Sequence, residues 1–356
     1  MSHQHVTTFP HDPILDLDPW VGQRQASFRF ELFDGASGMA LGDITPIRNA
    51  SLTHDTTRTI KRQLSIDLGV ADTAAINTVT DRIRVFMVFP NGTEYPLGQY
   101  MFTDASRQVF TSGRLGNMIL NDEMFLVDQQ IEQGIDGANK AIIEVMETTL
   151  SGLDITFTAE PTPYLSVQSW GIGEFRGSVL EALSIMGDYF SPWFDNGGTL
   201  RFIRTFNPEG RLADFDWDTG NQVIRDSIVE TDDLLVAPNR FIVVSNAVDD
   251  EASEIVGIAD VPVNAPHSIP NRGFVLPEVV DLQVSEASQA QAVAQGLVNR
   301  FTIFERVSIS TAPDPRHDSY NVIHWQGQHW MELAWGLPLV EGGQMSHLLR
   351  KAYTSD

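Results

Sequence analysis

Residues 26–33 alternate polar and apolar, which puts Phe28, Phe30 and Leu32 on one side of a pleated strand. The same two-residue period runs through 57–68, with Ile60, Leu64, Ile66 and Leu68 at even positions, and again through 82–89. Pro90-Asn91-Gly92 follows, and Asn-Gly is a strong hairpin signal because both residues tolerate positive φ. Residues 94–102 then read as the return strand and 114–120 as another. About five strands at this spacing predict a small barrel or sandwich that ends near Phe125. Ahead of it, Pro10, Pro13 and Pro19 break any helix, so residues 1–22 read as an arm.

Beyond Phe125 the period changes. Residues 138–150 place Ile142, Val145, Met146 and Thr149 at helical spacing. A short strand is expected at 153–157, extended chain at Pro161 and Pro163, and a second helix over 178–190. Ser178 and Glu181 there have the spacing of a capping box, and Val179, Leu183 and Met186 face a core. Residues 195–198 form a turn, and strands are expected at 200–205 and 240–246. Extended chain at 279–284 leads into a helix over 285–301, with Ala290, Ala294, Leu297 and Val298 inward. A strand at 306–311 and a hairpin at 322–332 around Gln326-Gly327 complete the chain. The pattern predicts an α+β fold that is mostly β.

Composition narrows the chemistry. The 356 residues carry no cysteine, which removes disulfides, thiolate metal sites and a cysteine nucleophile. Apolar residues make up 42%, enough for real cores. Lys+Arg is 23 against Asp+Glu 47, a net charge of -24. Such a surface repels phosphate backbones and anionic lipid alike. Residues 209–260 concentrate the effect, with 13 acids and 3 bases. Only Lys61, Lys140 and Lys351 are lysines; coding bias is the bland explanation and adaptation to salt the sharper one. No apolar run approaches the ~20 residues that span a bilayer. The start has no basic region followed by an apolar stretch, so synthesis in a cytoplasm is expected, with later export in a particle left open.

Recognisable catalytic kits are missing. Asp214-Phe-Asp216-Trp-Asp218 resembles the start of a calcium loop, but that loop needs Gly at position 6 and Glu at position 12, where this chain has Thr219 and Arg225. On a strand, the three acids instead share one face and Phe215 and Trp217 the other. Gly171, Gly173 and Gly177 precede a helix without the spacing or the βαβ frame of a dinucleotide turn. Met1-Ser2-His3 could chelate copper, but removal of Met1 would spoil it. His324 and His329 flank a hairpin turn and His317-Asp318 lies in a Pro-rich loop, none at metal-ligand spacing in sequence. There is no nucleophile elbow and no phosphate loop. No catalytic, cofactor-binding or metal residue is therefore assigned, and no cofactor is expected.

The order of segments resembles the hub (baseplate-hub or tail-tip) proteins of long-tailed phages and related viruses. "NASLTHDTTRTIKRQLSIDL" is similar to that family's early strand-turn-strand. "INTVTDRIRVFMVFPNGTEYPLGQYMFTD" is similar to its next block, which ends in a P-L-G-x-[YF] strand (Pro96, Leu97, Gly98, Tyr100). "FRGSVLEALSIMGDYFSPWFDNGGTLRFI" resembles its middle unit, and "APNRFIVVSN" and "SEASQAQAVAQGLVNRF" the opening and the helix of its second barrel.

The resemblance covers roughly residues 25–350. It implies two tail-tube-like β-barrel domains, 23–127 and 226–356, the second with one helix. Between them lies a mixed helix/strand domain at 128–225, and the arm at 1–22 precedes them. A late segment is expected to complete an early barrel. The implied role is structural rather than enzymatic: a homotrimeric hub in the virion tail that adapts a six-fold tube to a three-fold tip around the DNA channel. The implied partners are tail-tube or distal-tail protein, tape-measure protein, and tip or fibre proteins, with DNA passing without specific binding. Two other classes stay open: a carboxylate-based cell-wall glycan hydrolase, and a carbohydrate-binding tail component using Trp193, Trp217, Trp325, Trp330 and Trp335.

Overall fold

The computed structural model describes residues 26–69, 76–110, 113–218, 223–224, 228–232, 237–245, 255–284, 286–301 and 305–351. The arm 1–22 and the Met1-Ser2-His3 motif lie outside them. The first seven strands are β1 (Ser27–Asp34), β2 (Ala40–Ile44), β3 (Pro46–Asp55), β4 (Arg62–Leu68), β5 (Asp81–Val88), β6 (Glu94–Phe110) and β7 (Gly113–Asn121). Their pairings run β3-β4-β7-β6-β5-β1-β2. Only Thr45 separates β2 from β3, so the path returns on itself. A single stretch, 40–55, pairs at its start with β1 and at its end with β4, and a register shift between Pro46 and Ala50 lets it turn. The side chains inside the ring form one core, including Phe30, Leu32, Leu52, Leu64, Ile66, Ile83, Val85 and Leu120.

Five short strands follow: β8 (Lys140–Ala141), β9 (Phe157–Ala159), β10 (Leu165–Ser166), β11 (Trp193–Phe194) and β12 (Leu200–Phe202). With them come α1 (Met124–Val127), α2 (Ile142–Leu150) and α3 (Arg176–Met186). Next are β13 (Phe215–Asp216), β14 (Val229–Asp232), β15 (Arg240–Ser245), β16 (Ile255–Asp260), α4 (Ile269–Arg272), β17 (Pro277–Asp281) and α5 (Ala287–Phe301). The chain ends with β18 (Glu305–Thr311), β19 (Val322–Trp325), β20 (Gln328–Pro338) and β21 (Met345–Lys351).

The last four strands build a second curved sheet with the same device. Short described segments lie at both of its ends: β13 pairs in parallel with β19, while Val223 bridges Thr311 and β14 pairs with β18. Strand β20 belongs to both sheets. Its first residues pair with β19 and its last with β3, while β21 lies along its other edge. Trp330 therefore packs in the core with Phe215, Trp217 and Trp325, whereas Trp335 and Leu337 pack in the first ring's core. A late segment thus pairs with β3 and adds Trp335 and Leu337 to the early core.

The cores do not follow chain order. One core takes α1, α2 and α3 together with β15, β16 and α5. The helix that the sequence places in the last β unit is thus docked on the middle unit. Its spacing explains why: Ala290, Ala294, Leu297 and Val298 are buried as one stripe. The small residues let it lie close to β16, where a Cβ on Gly257 would meet the Ala290 backbone at 2.2 Å. At its end, Arg350 of β21 donates to the carbonyls of Asn299 and Arg300, a buried cation at a helix C-terminus.

Most strand expectations match. Three details differ. Residues 57–60 turn rather than extend, because Asp55 accepts from Thr57 N at 2.9 Å and Thr57 Oγ1 at 2.6 Å. Helix α3 starts at Arg176 with Phe175 as its cap residue, so no Ser178–Glu181 capping box forms. Glu181 instead accepts from Ser191 Oγ at 2.7 Å and pairs with Arg300 at 3.1 Å. The strand expected at 153–157 lies at 157–159.

Coupling of the rings can be checked by fluorescence in a Trp335→Phe background, because residues 27–121 contain no tryptophan and Trp335 is the indole packed in the first ring's core. Leu52, fully buried in β3, should lose about 2–5 kcal/mol of stability as Leu52→Ala. If β20 fuses the two sheets, the tryptophan signal from the rest of the chain shifts its denaturant midpoint as far as the far-UV signal does. An unmoved tryptophan midpoint would mean that the rings unfold separately.

Candidate functional site

The point where the three parts of the chain meet is built on a buried arginine. Arg62 opens β4 on the same face as Leu64, Ile66 and Leu68, and is 1% exposed. Its guanidinium donates to Asn196 Oδ1 and to Asp318 Oδ1, both at 2.5 Å. Asp318 also accepts from Trp193 Nε1 at 2.9 Å and from Ser319 N at 2.8 Å. Asn196 in turn donates to the Pro315 and His317 carbonyls. Burial opposes the Arg62 charge, yet Asp318 outweighs it and holds the arginine above its ordinary pKa. Burial also drives Asp318 upward; three N–H donors on the carboxylate decide for its ionised form.

Around this pair lie other buried polar groups. His54 of β3 stacks on Trp335 at 5.3 Å and contacts Ser319 Oγ through Nε2 at 2.9 Å. Burial first, then the charges of Arg62 and Lys61, push the His54 pKa well below the ordinary value. Lys61, 2% exposed, donates to the Arg58 carbonyl and to Ser191 Oγ, and burial pulls it down to about 8.

The second sheet has its own charged centre. Glu332, His317 and His347 are fully buried: Glu332 contacts His317 Nδ1 at 2.7 Å and His347 Nδ1 at 2.5 Å. His347 Nε2 meets Thr311 Oγ1 at 2.8 Å, and Phe215 stacks on His317 at 4.1 Å. Burial disfavours the Glu332 charge, but the two imidazoles hold its pKa at about 2. Sealed in the core, the cluster anchors β20 and β21 to the 314–318 loop.

Where the first ring, α3 and the second sheet meet, a cleft of about 750 Å³ opens, lined in part by Arg58, Glu181, Phe190, Arg300, Tyr320 and Arg350. It separates elements of one chain, with the Arg300–Glu181 pair across it.

Of the Asp214–Asp218 motif only Phe215 and Asp216 form a strand, β13, but the expected alternation of faces holds across 215–218. Phe215 and Trp217 are buried while Asp216 and Asp218 face out. Asp218 accepts from Gln326 N at 2.6 Å and Gly327 N at 2.8 Å, which ties β13 to the hairpin turn. His324 and His329 face each other across that hairpin, ring centroids 5.3 Å apart. Gly171 and Gly173 lie in the loop that enters α3, and Gly177 lies in its first turn. Trp193, Trp217, Trp325, Trp330 and Trp335 are all 4–7% exposed. Carbohydrate binding through these five indoles is therefore ruled out by their burial: each fills a core.

Sequence reading did not find Arg62, Asn196, Asp318 or the His317–Glu332–His347 set as groups, because their members are separated by up to 256 residues. A signal was present for Arg62: a charge on the inward face of an otherwise apolar alternation demands a buried partner.

The fold is similar to that of several proteins described as tail proteins. The chain is similar to the tail protein from Neisseria meningitidis MC58 with a TM-score of 0.63 at 10% identity, over 91% of this chain and 97% of that one. The prophage MuSo2 43 kDa tail protein from Shewanella oneidensis aligns with a TM-score of 0.60 at 12% identity, over 92% and 98%. Prophage tail protein gp18 from Listeria monocytogenes EGD-e gives 0.58 at 8% identity, over 90% and 94%. At these identities the likeness is one of fold, and it agrees with the resemblance read from the sequence. No protein-family model and no curated protein matches the chain by sequence.

Two outcomes test the junction. Arg62→Met leaves Asp318 buried and unpaired and should cost about 3–5 kcal/mol, part of it recovered in Arg62→Met/Asp318→Asn. Equal losses in the single and double variants would remove the pair from the account. For His54, the folded state stays neutral while the unfolded chain protonates below about 6.5. Its contribution is therefore present above that pH and lost as pH falls below it. Stability measured between pH 7 and 5 should fall less steeply in His54→Gln than in the parent; parallel profiles would contradict this.

Proposed function

We propose that this chain is a structural virion protein that forms a three-copy hub at the distal end of a viral tail. The observation that carries the reading is the pair of curved β sheets fused within one chain through β20 and β3. Read as two tube-like barrels, 23–127 and 226–356 with exchanged segments, three copies present six such units. That number matches a six-fold tube while the remaining surface keeps three-fold symmetry. The helical unit, whose core takes α1, α2, α3, β15, β16 and α5, lies outside this ring of units. Tail-tube or distal-tail protein would meet one face, tip or fibre proteins the other, and tape-measure protein the bore.

The charge fits a conduit. At -24 the chain repels a polyanion, so DNA slides without sticking. Asp214, Asp216 and Asp218 on or beside β13, with Asp232 at the end of β14, belong to the acidic stretch assigned here to the channel side. Asp233 lies outside the described residues. The role is mechanical rather than catalytic, because the charged clusters at the junction and in the second sheet are buried and spent on internal pairing.

Native mass measurement together with electron microscopy of assembled tails tests the reading. Three copies at one tail end, each giving two units of the ring, is the expected result. One or six copies per tail, or a hydrolytic activity of the pure chain lost on a single acid-to-amide change, would overturn it.

A further inference from the structure

We propose that Asp216, Asp218 and His324 form a binding site for a divalent transition cation of the zinc type on the outside of the second sheet. The register creates it. The parallel pairing of β13 with β19 sets Asp216 beside His324, and the antiparallel hairpin sets His324 opposite His329. Side chains at paired positions share a face, so a row of acid, imidazole and imidazole crosses three strands. Glu209 closes the row, contacting His329 Nδ1 at 3.2 Å.

The spacing admits an ion between the groups as well as the direct pairing of His324 with the two carboxylates. His324 Nδ1 is 3.4 Å from Asp216 Oδ1 and 3.6 Å from Asp218 Oδ2. One ligand atom of each residue lies within 4.8 Å of the others. With zinc–nitrogen and zinc–oxygen bonds of about 2.0–2.2 Å, two ligands on a tetrahedral ion stand about 3.3–3.6 Å apart. The contacts from His324 have that length. The buried His317–Glu332–His347 set offers the contrast: at 2.5–2.7 Å its atoms stand at direct hydrogen-bond length and are closed off from solvent.

The donors are also held in place. Asp218 takes the two turn amides of Gln326 and Gly327, and Asp216 Oδ1 takes Asp218 N at 3.0 Å. Such outer hydrogen bonds orient metal-binding carboxylates. The side chains are 32–47% exposed, so an ion can enter. One imidazole and two carboxylates suit zinc, whereas calcium seeks six to eight oxygens. Three protein ligands leave a fourth position for water. The bound ion would staple β13, which has only two paired residues, to the β19–β20 hairpin.

The test uses the full chain, stripped with chelator and titrated with zinc chloride by calorimetry and thermal melting. Expected is a saturable zinc ion lost, or weakened at least tenfold, in Asp216→Asn and in the Asp216→Asn/His324→Asn pair. Zinc should raise the melting temperature of the parent, and calcium at the same concentration should not. Cobalt should give the visible absorption of a tetrahedral site. Both substituted positions are at the surface, and matching circular dichroism without metal identifies folded variants. Absence of zinc binding by the parent, or equal stoichiometry and affinity in the double variant, would overturn the assignment.

Discussion

One strand has to satisfy two cores at once. Across eleven residues β20 exchanges its partner from β19 to β3, and the indoles at Trp330 and Trp335 go to different interiors. Neither sheet can shift its register against the other without moving a tryptophan out of its core, because a one-residue slip reverses every side chain. The rest of the structure accommodates this constraint. Arg62 and Asp318 close the gap beneath the crossover, and Glu332, between the two tryptophans, takes both imidazoles of the second sheet. A buried pair of this kind contributes little net stability over apolar side chains, but it strongly disfavours any arrangement that leaves one partner alone.

The middle unit is bound into the same frame from two sides. Arg350 at the end of β21 caps α5, and α5 packs on β15 and β16 while Arg300 reaches Glu181 of α3. Asn196 and Trp193 bring the β11–β12 turn to the Arg62 site. The cores are thereby joined by polar contacts whose partners lie far apart in sequence. Load on one sheet would pass to the other through the continuous backbone hydrogen bonds of β20.

Much of this was legible in the chain. The alternation at 82–89, 94–102, 240–246 and 306–311 and the turns at Asn91-Gly92 and Gln326-Gly327 correspond to observed strands and hairpins, with Gly92 and Gly327 at positive φ. Periodicity alone did not mark 40–55, where Gly42 and Pro46 interrupt the pattern; family resemblance supplied a strand there. Those interruptions are what the closing strand needs in order to turn a corner. The helix at 285–301 was visible as a helix, but its docking on β16 depends on Gly257, thirty residues away. The His324–Asp216 proximity was hidden for the same reason: it is a product of register, which local pattern does not encode.

Amide hydrogen exchange on the full chain addresses the shared strand most directly. The account predicts that Leu52, Thr53, Trp330, Gly336 and Leu337 exchange together at the slowest rate in the molecule, through global opening alone. Exchange at Trp330 and along β19 that runs to completion while β3 through β7 stay protected would contradict it.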